Sequence, residues 1–114
     1  MGAVSPVMFT TPDGVERPLR FTMGARRRIA IEFGTANIQT ILTQYDYGAV
    51  PRLLYQLLFD EKGQAPAFTV QEFEETFPND SDVGDAAIAA IMSAALQGRV
   101  PKKDLEAAMK EFQQ

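Results

Sequence analysis

The chain has 114 residues, 46% of them apolar, which is enough for one ordinary domain with a real core and excludes wholesale disorder. Its net charge of −4 is the wrong sign for a sequence-independent nucleic-acid binder, which carries a basic excess. It contains neither cysteine nor histidine, so disulfides, thiolate metal sites, cysteine nucleophiles and imidazole bases are all removed, and a catalyst would be confined to carboxylates, lysine or tyrosine.

The opening "MGAVSPVMFTTPDG" lacks the basic start and apolar run of a secretory signal. Pro6 stands where an N-myristoylation motif needs Ser or Thr. No window reaches ~20 uninterrupted apolar residues, the length that spans a bilayer. The expectation is a soluble intracellular protein.

Residues 4–22 read as a β-hairpin, with "VSPVMFT" and "VERPLRFT" flanking "TPDG". Pro12 presets the turn, Asp13 tolerates its geometry, and Gly14 can take positive φ. Pro6 and Pro18 cannot donate to a ladder, so the strands are short or at an edge. Two strands alone are marginally stable, so the hairpin has to lean on helices or on another subunit.

Residues 23–33 read as a helix, with Thr22 as N-cap and Gly34 as the stop. Ala25, Ile29 and Phe33 share one face at spacing four. Arg26, Arg27 and Arg28 fan over about 200°, because each residue turns about 100°, and so form no single patch. They read as a solvated shoulder whose stems cover apolar surface, or as a hook for a partner. Arg28 stands at the right spacing to pair with Glu32. Cations this near a helix start oppose its dipole by roughly 0.3–1 kcal/mol each, so an acidic group in the fold or on a partner is expected to compensate.

Residues 35–45 form a short helix with Ile38, Ile41, Leu42 and Tyr45 on one stripe. Asp46 is the expected cap of the next helix, "YGAVPRLLYQLLF", whose regular part begins near Val50 because Pro51 suits a first turn. Val50, Leu53, Leu54, Leu57 and Leu58 give it the widest apolar face of the chain, so it is expected at the centre of the core. "DEKGQAPAF" is a loop. Thr69 and Glu72 then form a capping box that opens a short helix ended by Pro78, with Phe73 and Phe77 on one face. Between Asp60 and Asp85 stand eight acidic residues and one lysine, a solvated face or the counter-charge to the arginines.

"NDSDVG" supplies caps for a helix over 82–97, with Ile88, Ile91, Met92, Ala95 and Leu96 as its stripe and Gly98 as its stop. Six alanines between 86 and 95 allow a second helix to approach closely. Pro101 starts a last amphipathic helix over 101–113, with Leu105, Ala108, Met109 and Phe112 in line and Glu106 paired with Lys110. The whole reads as one domain over 1–114, mainly α with a small N-terminal β-hairpin (α+β). The hairpin takes 4–22, a helical core 23–97 and the terminal helix 101–113, in a compact five- to six-helix unit.

No phosphate-binding glycine loop, dinucleotide fingerprint or nucleophile elbow occurs. "DSD" at 80–82 is far from the twelve-residue ligand pattern of a calcium loop and reads as helix capping. Neither catalytic residues, nor a metal, nor a cofactor are expected, and neither are nucleic-acid or membrane partners.

In order, "DGVERPLRFTMGARRRIAIEFG", "VPRLLYQLLF", "FTVQEFEETF" and an alanine-rich helix resemble the small tail assembly chaperones of long-tailed bacteriophages and prophages, including gene transfer agent relatives. The resemblance runs over residues 9–97. It rests on Gly14, Leu19, Arg20, Phe21, Thr22, Gly24, Ala25, Arg27 and Ile29, on Val50, Leu53, Leu54, Tyr55, Leu57 and Leu58, and on Phe68, Thr69, Glu72 and Phe73. It implies a protein without chemistry of its own. Such a protein binds the tape measure protein in the cytoplasm of the bacterial host and keeps it soluble until the tail tube polymerises around it. A holdase of this kind needs apolar helical surface and acidic charge for solubility, and Met8, Met23, Met92 and Met109 are adaptable where exposed. Leu105, Met109 and Phe112 are the first candidates for partner contact, the alternative being packing on the same subunit. Arg27 and Arg28 are further candidates, as is the hairpin edge through strand addition. Self-association is expected. The competing expectation is a structural virion component of the neck, tail completion or tail tube.

Overall fold

The computed structural model describes residues 6–99. Strand β1, Val7–Thr10, pairs antiparallel with β2, Glu16–Leu19, in the register Val7 opposite Leu19 and Phe9 opposite Arg17. The turn between them closes as its residues require. Gly14 takes φ +84°, a conformation that costs glycine little, and its N–H donates to the Thr11 carbonyl at 2.8 Å. Val7, Phe9 and Leu19 face the helices, while Met8 and Thr10 face outward. The hairpin therefore covers the helical core, and both strands lie against the last helix.

Helix α1, Met23–Phe33, starts and stops where its caps dictate. The Thr22 hydroxyl accepts from the Ala25 amide at 3.1 Å, and Gly34 closes the last turn at φ +79°. Ala25, Ile29 and Phe33 are buried, as their spacing predicts. Helix α2, Ile38–Tyr45, is capped by Asn37 and buries Ile38 and Ile41. Asp46 does not cap the following helix. It sits at φ 53° where α2 ends, and opens a 3-10 turn, Asp46–Ala49, that leads into α3, Val50–Leu57. Pro51 sits in the first turn of α3, where its missing N–H costs nothing.

Helix α3 is the centre of the core. Val50, Leu53, Leu54 and Leu57 are fully buried, and α1, α4 and α5 all pack against it. A loop returns through Asp60, whose carboxylate accepts from the amides of Lys62 and Gln64, each at 2.9 Å. Helix α4, Val70–Thr76, opens on the expected capping box. The Thr69 hydroxyl accepts from the Glu72 amide, and the Glu72 carboxylate accepts from the Thr69 amide. Phe73 is buried beneath Tyr55, Phe68 and Phe77, and the Tyr55 hydroxyl donates to the Phe68 carbonyl at 3.0 Å. Helix α5, Ser81–Arg99, begins at Asp80, whose carboxylate accepts from the amides of Asp82 and Val83. It runs through Gly98, which is not its stop. Ala87, Ile91, Ala94 and Ala95 are buried, so the small side chains of α5 bring it close to α3 and to both strands.

The structure is thus mostly helical with an N-terminal hairpin. Its frame is three-helical, with α1 and α5 packed on the eight-residue α3, while α2 of eight and α4 of seven residues are short pieces around it. The expected five- to six-helix unit is thereby corrected to a three-helix frame, because "DYGA" and the loop at 58–69 break the chain into short pieces around α3. The expected terminal helix over 101–113, with Leu105, Met109, Phe112 and the Glu106–Lys110 pair, lies outside the described residues. No helix among the described residues is long and apolar enough to cross a membrane.

Candidate docking surface

The three arginines of α1 separate by rotation. Arg28 turns toward α3. Its Nη2 donates to the Gln56 carbonyl at 2.8 Å and its Nε to the Gln56 side chain at 3.2 Å, while the guanidinium lies over the Phe59 ring at 3.7 Å. Gln56 is in the last turn of α3, where helix carbonyls lack intrahelical donors and the dipole favours a cation. Partial burial lowers the Arg28 pKa from its ordinary value. Arg28 is therefore a structural clamp on the end of α3, and the expected pair with Glu32 does not form. Glu32 instead accepts from Arg52 of α3, with Nε at 2.8 Å, and Arg52 also lies over Phe33. The partner 20 residues away wins because α1 and α3 pack side by side.

Arg26 and Arg27 point to solvent and make no ion pair among the described residues. Met23, Arg27 and Ile31 fall on one row at spacing four. Met23 is 80% exposed and Ile31 74%, the two most exposed large apolar side chains among the described residues. Thr22 and Gly34 fix both ends of α1, so this mixed apolar and cationic row is held on a rigid helix. A shallow hollow lined by Arg26, Thr35, Ala36 and Asn37 lies near the C-terminal end of α1. The sequence reading singled out Arg27 but missed Met23 and Ile31 as its neighbours. The spacing of 23, 27 and 31 already carried that signal.

The expected neutralisation of the α1 arginines by the acidic run does not form among the described residues, and the run meets an arginine there only outside α1. Arg20 reaches Glu61 at 4.0 Å, and no other ion pair joins the two among the described residues. Asp80, Asp82 and Asp85 gather at the start of α5 beside a second concavity. This open cleft of about 510 Å³ is walled by Tyr47, Val50, Pro51, Phe77 and Pro78. Tyr47 leans on Gly84 so closely that a Cβ there would stand 2.5 Å from its ring, and its hydroxyl donates to Asp85 at 2.5 Å. That hydrogen bond, with the charges of Asp46, Asp82 and Asp85, raises the Tyr47 phenol above its ordinary pKa of 10.0. Glu74 and Asp80 also line the cleft.

The described residues hold no group of three or more acidic side chains placed to bind a metal ion. The packing and capping residues of the "LRFTMGARRRI" stretch serve the frame. Leu19, Ala25 and Ile29 are buried, Thr22 caps α1, and the Arg20 amide donates to the Leu57 carbonyl at 2.8 Å. Compared with known proteins, the chain matches no family model, no curated protein and no solved structure.

Proposed function

We propose that this chain is a tail assembly chaperone of a long-tailed phage or prophage. It binds the tape measure protein in the bacterial host's cytoplasm and keeps it soluble during tail morphogenesis. The observation that carries this reading is the Met23–Arg27–Ile31 row, exposed apolar surface flanked by cations on a capped helix. An amphipathic client helix is recognised by such a surface through apolar anchors, with the cations selecting acidic flanks. The motif resemblance over residues 9–97 supports the same reading. Leu105, Met109 and Phe112 extend the proposed contact in sequence.

The alternative, a structural virion component, differs in where the protein ends up. Mass spectrometry of purified particles and of the cleared lysate separates the two. The chaperone reading expects the chain bound to tape measure protein in lysate and missing from finished particles. Stoichiometric recovery in particles would replace it with the structural reading.

A further inference from the structure

Two surfaces of this molecule carry opposite charge, and neither is neutralised by an ion pair among the described residues. On α1, Arg26 and Arg27 stand beside exposed Met23 and Ile31. In the Tyr47 cleft, Glu74 and Asp80 stand beside apolar walls from Pro51, Phe77 and Pro78, with Asp85 accepting from the Tyr47 hydroxyl and Asp82 close by. The three ion pairs among the described residues, Arg17–Asp13, Arg20–Glu61 and Arg52–Glu32, use none of these groups. An aromatic ring edged by carboxylates is the chemistry that holds a guanidinium, through charge-assisted hydrogen bonds and stacking on the ring. The half-exposed Tyr47 ring and the carboxylates around it supply both, and Met23 and Ile31 match the apolar walls.

We propose that the α1 face of one copy docks in the Tyr47 cleft of a second copy, with Arg26 and Arg27 set against the cleft's carboxylates. The two patches are different, so the contact is head-to-tail and propagates beyond a dimer unless it closes into a ring. The proposal uses the same α1 face as the proposed client contact, which a client helix then has to win from a neighbouring copy. None of its test depends on a client.

The test is sedimentation velocity of the full chain over a wide concentration range, at low and high salt. The wild type is expected to grow past dimer with concentration and to revert toward monomer in high salt, because exposed charge pairs are screened. Two variants divide the contact, Arg26→Gln with Arg27→Gln on α1, and Glu74→Gln with Asp82→Asn at the cleft. Each alone is expected to lose the species larger than monomer while keeping its helical circular dichroism. Mixed in equal amounts, they retain one good α1 face and one good cleft, and are expected to form dimers that do not extend. Tyr47→Ala, which leaves every charge in place, is expected to weaken association as well. A wild type that stays monomeric throughout overturns the proposal. So do folded variants that associate like the wild type, and so does a mixture that stays monomeric.

Discussion

Arg27 and Arg28 differ by one position and about 100° around α1, and that rotation separates a surface group from a clamp. Arg28 holds the last-turn carbonyl of Gln56 and covers Phe59. Arg28→Ala is therefore expected to cost about 1–3 kcal/mol, the range for a charge-assisted hydrogen bond with a cation–π contact. Arg27→Ala is expected to stay within about 0.5 kcal/mol, as exposed substitutions usually do. Denaturant unfolding checks both, and equal losses would contradict the division. A second residue-scale device is the hairpin turn. The Asp13 carboxylate faces the Thr11 hydroxyl and the Arg17 guanidinium, at 3.0 Å from the latter, and its pKa falls from 3.8 to about 2. A carboxyl lowered by folding stabilises the native state above its unfolded value and loses that contribution as pH falls through its folded value. The turn is thus expected to hold fully above about pH 4 and to loosen toward pH 2. An NMR titration of Asp13 should show its midpoint near 2, and a midpoint at or above 3.8 would remove the turn lock.

Most of the elements that were legible had local signals. Thr22, Gly34 and the Thr69–Glu72 box each act within four residues, and each ends or starts a helix where the sequence implies. The spacing of Val50, Leu53, Leu54 and Leu57 likewise placed α3 at the centre of the core. What escaped depends on partners far along the chain. Nothing near Glu32 announces Arg52, and nothing near Tyr47 announces Gly84 and Asp85. Of the candidate surface, the exposure of Arg27 was readable, and the contact of Arg28 with the end of α3 was not, because Gln56 lies 28 residues away. Gly98 misled because a glycine stops a helix only if it adopts the left-handed turn, and α5 continues to Arg99. Asp46 misled because its side chain favours caps, while the junction of α2 with the 3-10 turn instead demands φ 53° and ψ −140°. A non-glycine residue there stores strain of order 1–3 kcal/mol. Asp46→Gly gives back part of that relief as unfolded-chain entropy. The expected result is a net stabilisation of about 0.5–1 kcal/mol, read as a raised unfolding midpoint. A lowered midpoint would mean that the Asp46 side chain contributes more than its backbone costs.

At the scale of the whole molecule, the sequence carries a basic N-terminal half and an acidic stretch from Asp60 to Asp85, and folding joins them at few points. On the proposed reading, the buried three-helix frame, the hairpin that covers it and the outward row of apolar and cationic side chains form a scaffold that presents a helix to another polypeptide. This is the central claim, and a solubility measurement tests it most directly. On the proposed reading, the chain is co-expressed with a tape measure protein encoded beside it, and that client is quantified in soluble and pelleted fractions. Wild type is expected to shift the client into the soluble fraction and to co-purify with it. Met23→Gln with Ile31→Gln, exposed substitutions that keep the helix, is expected to lose both effects while the variant itself stays folded. A client equally soluble with wild type, with the variant and with neither would contradict the account.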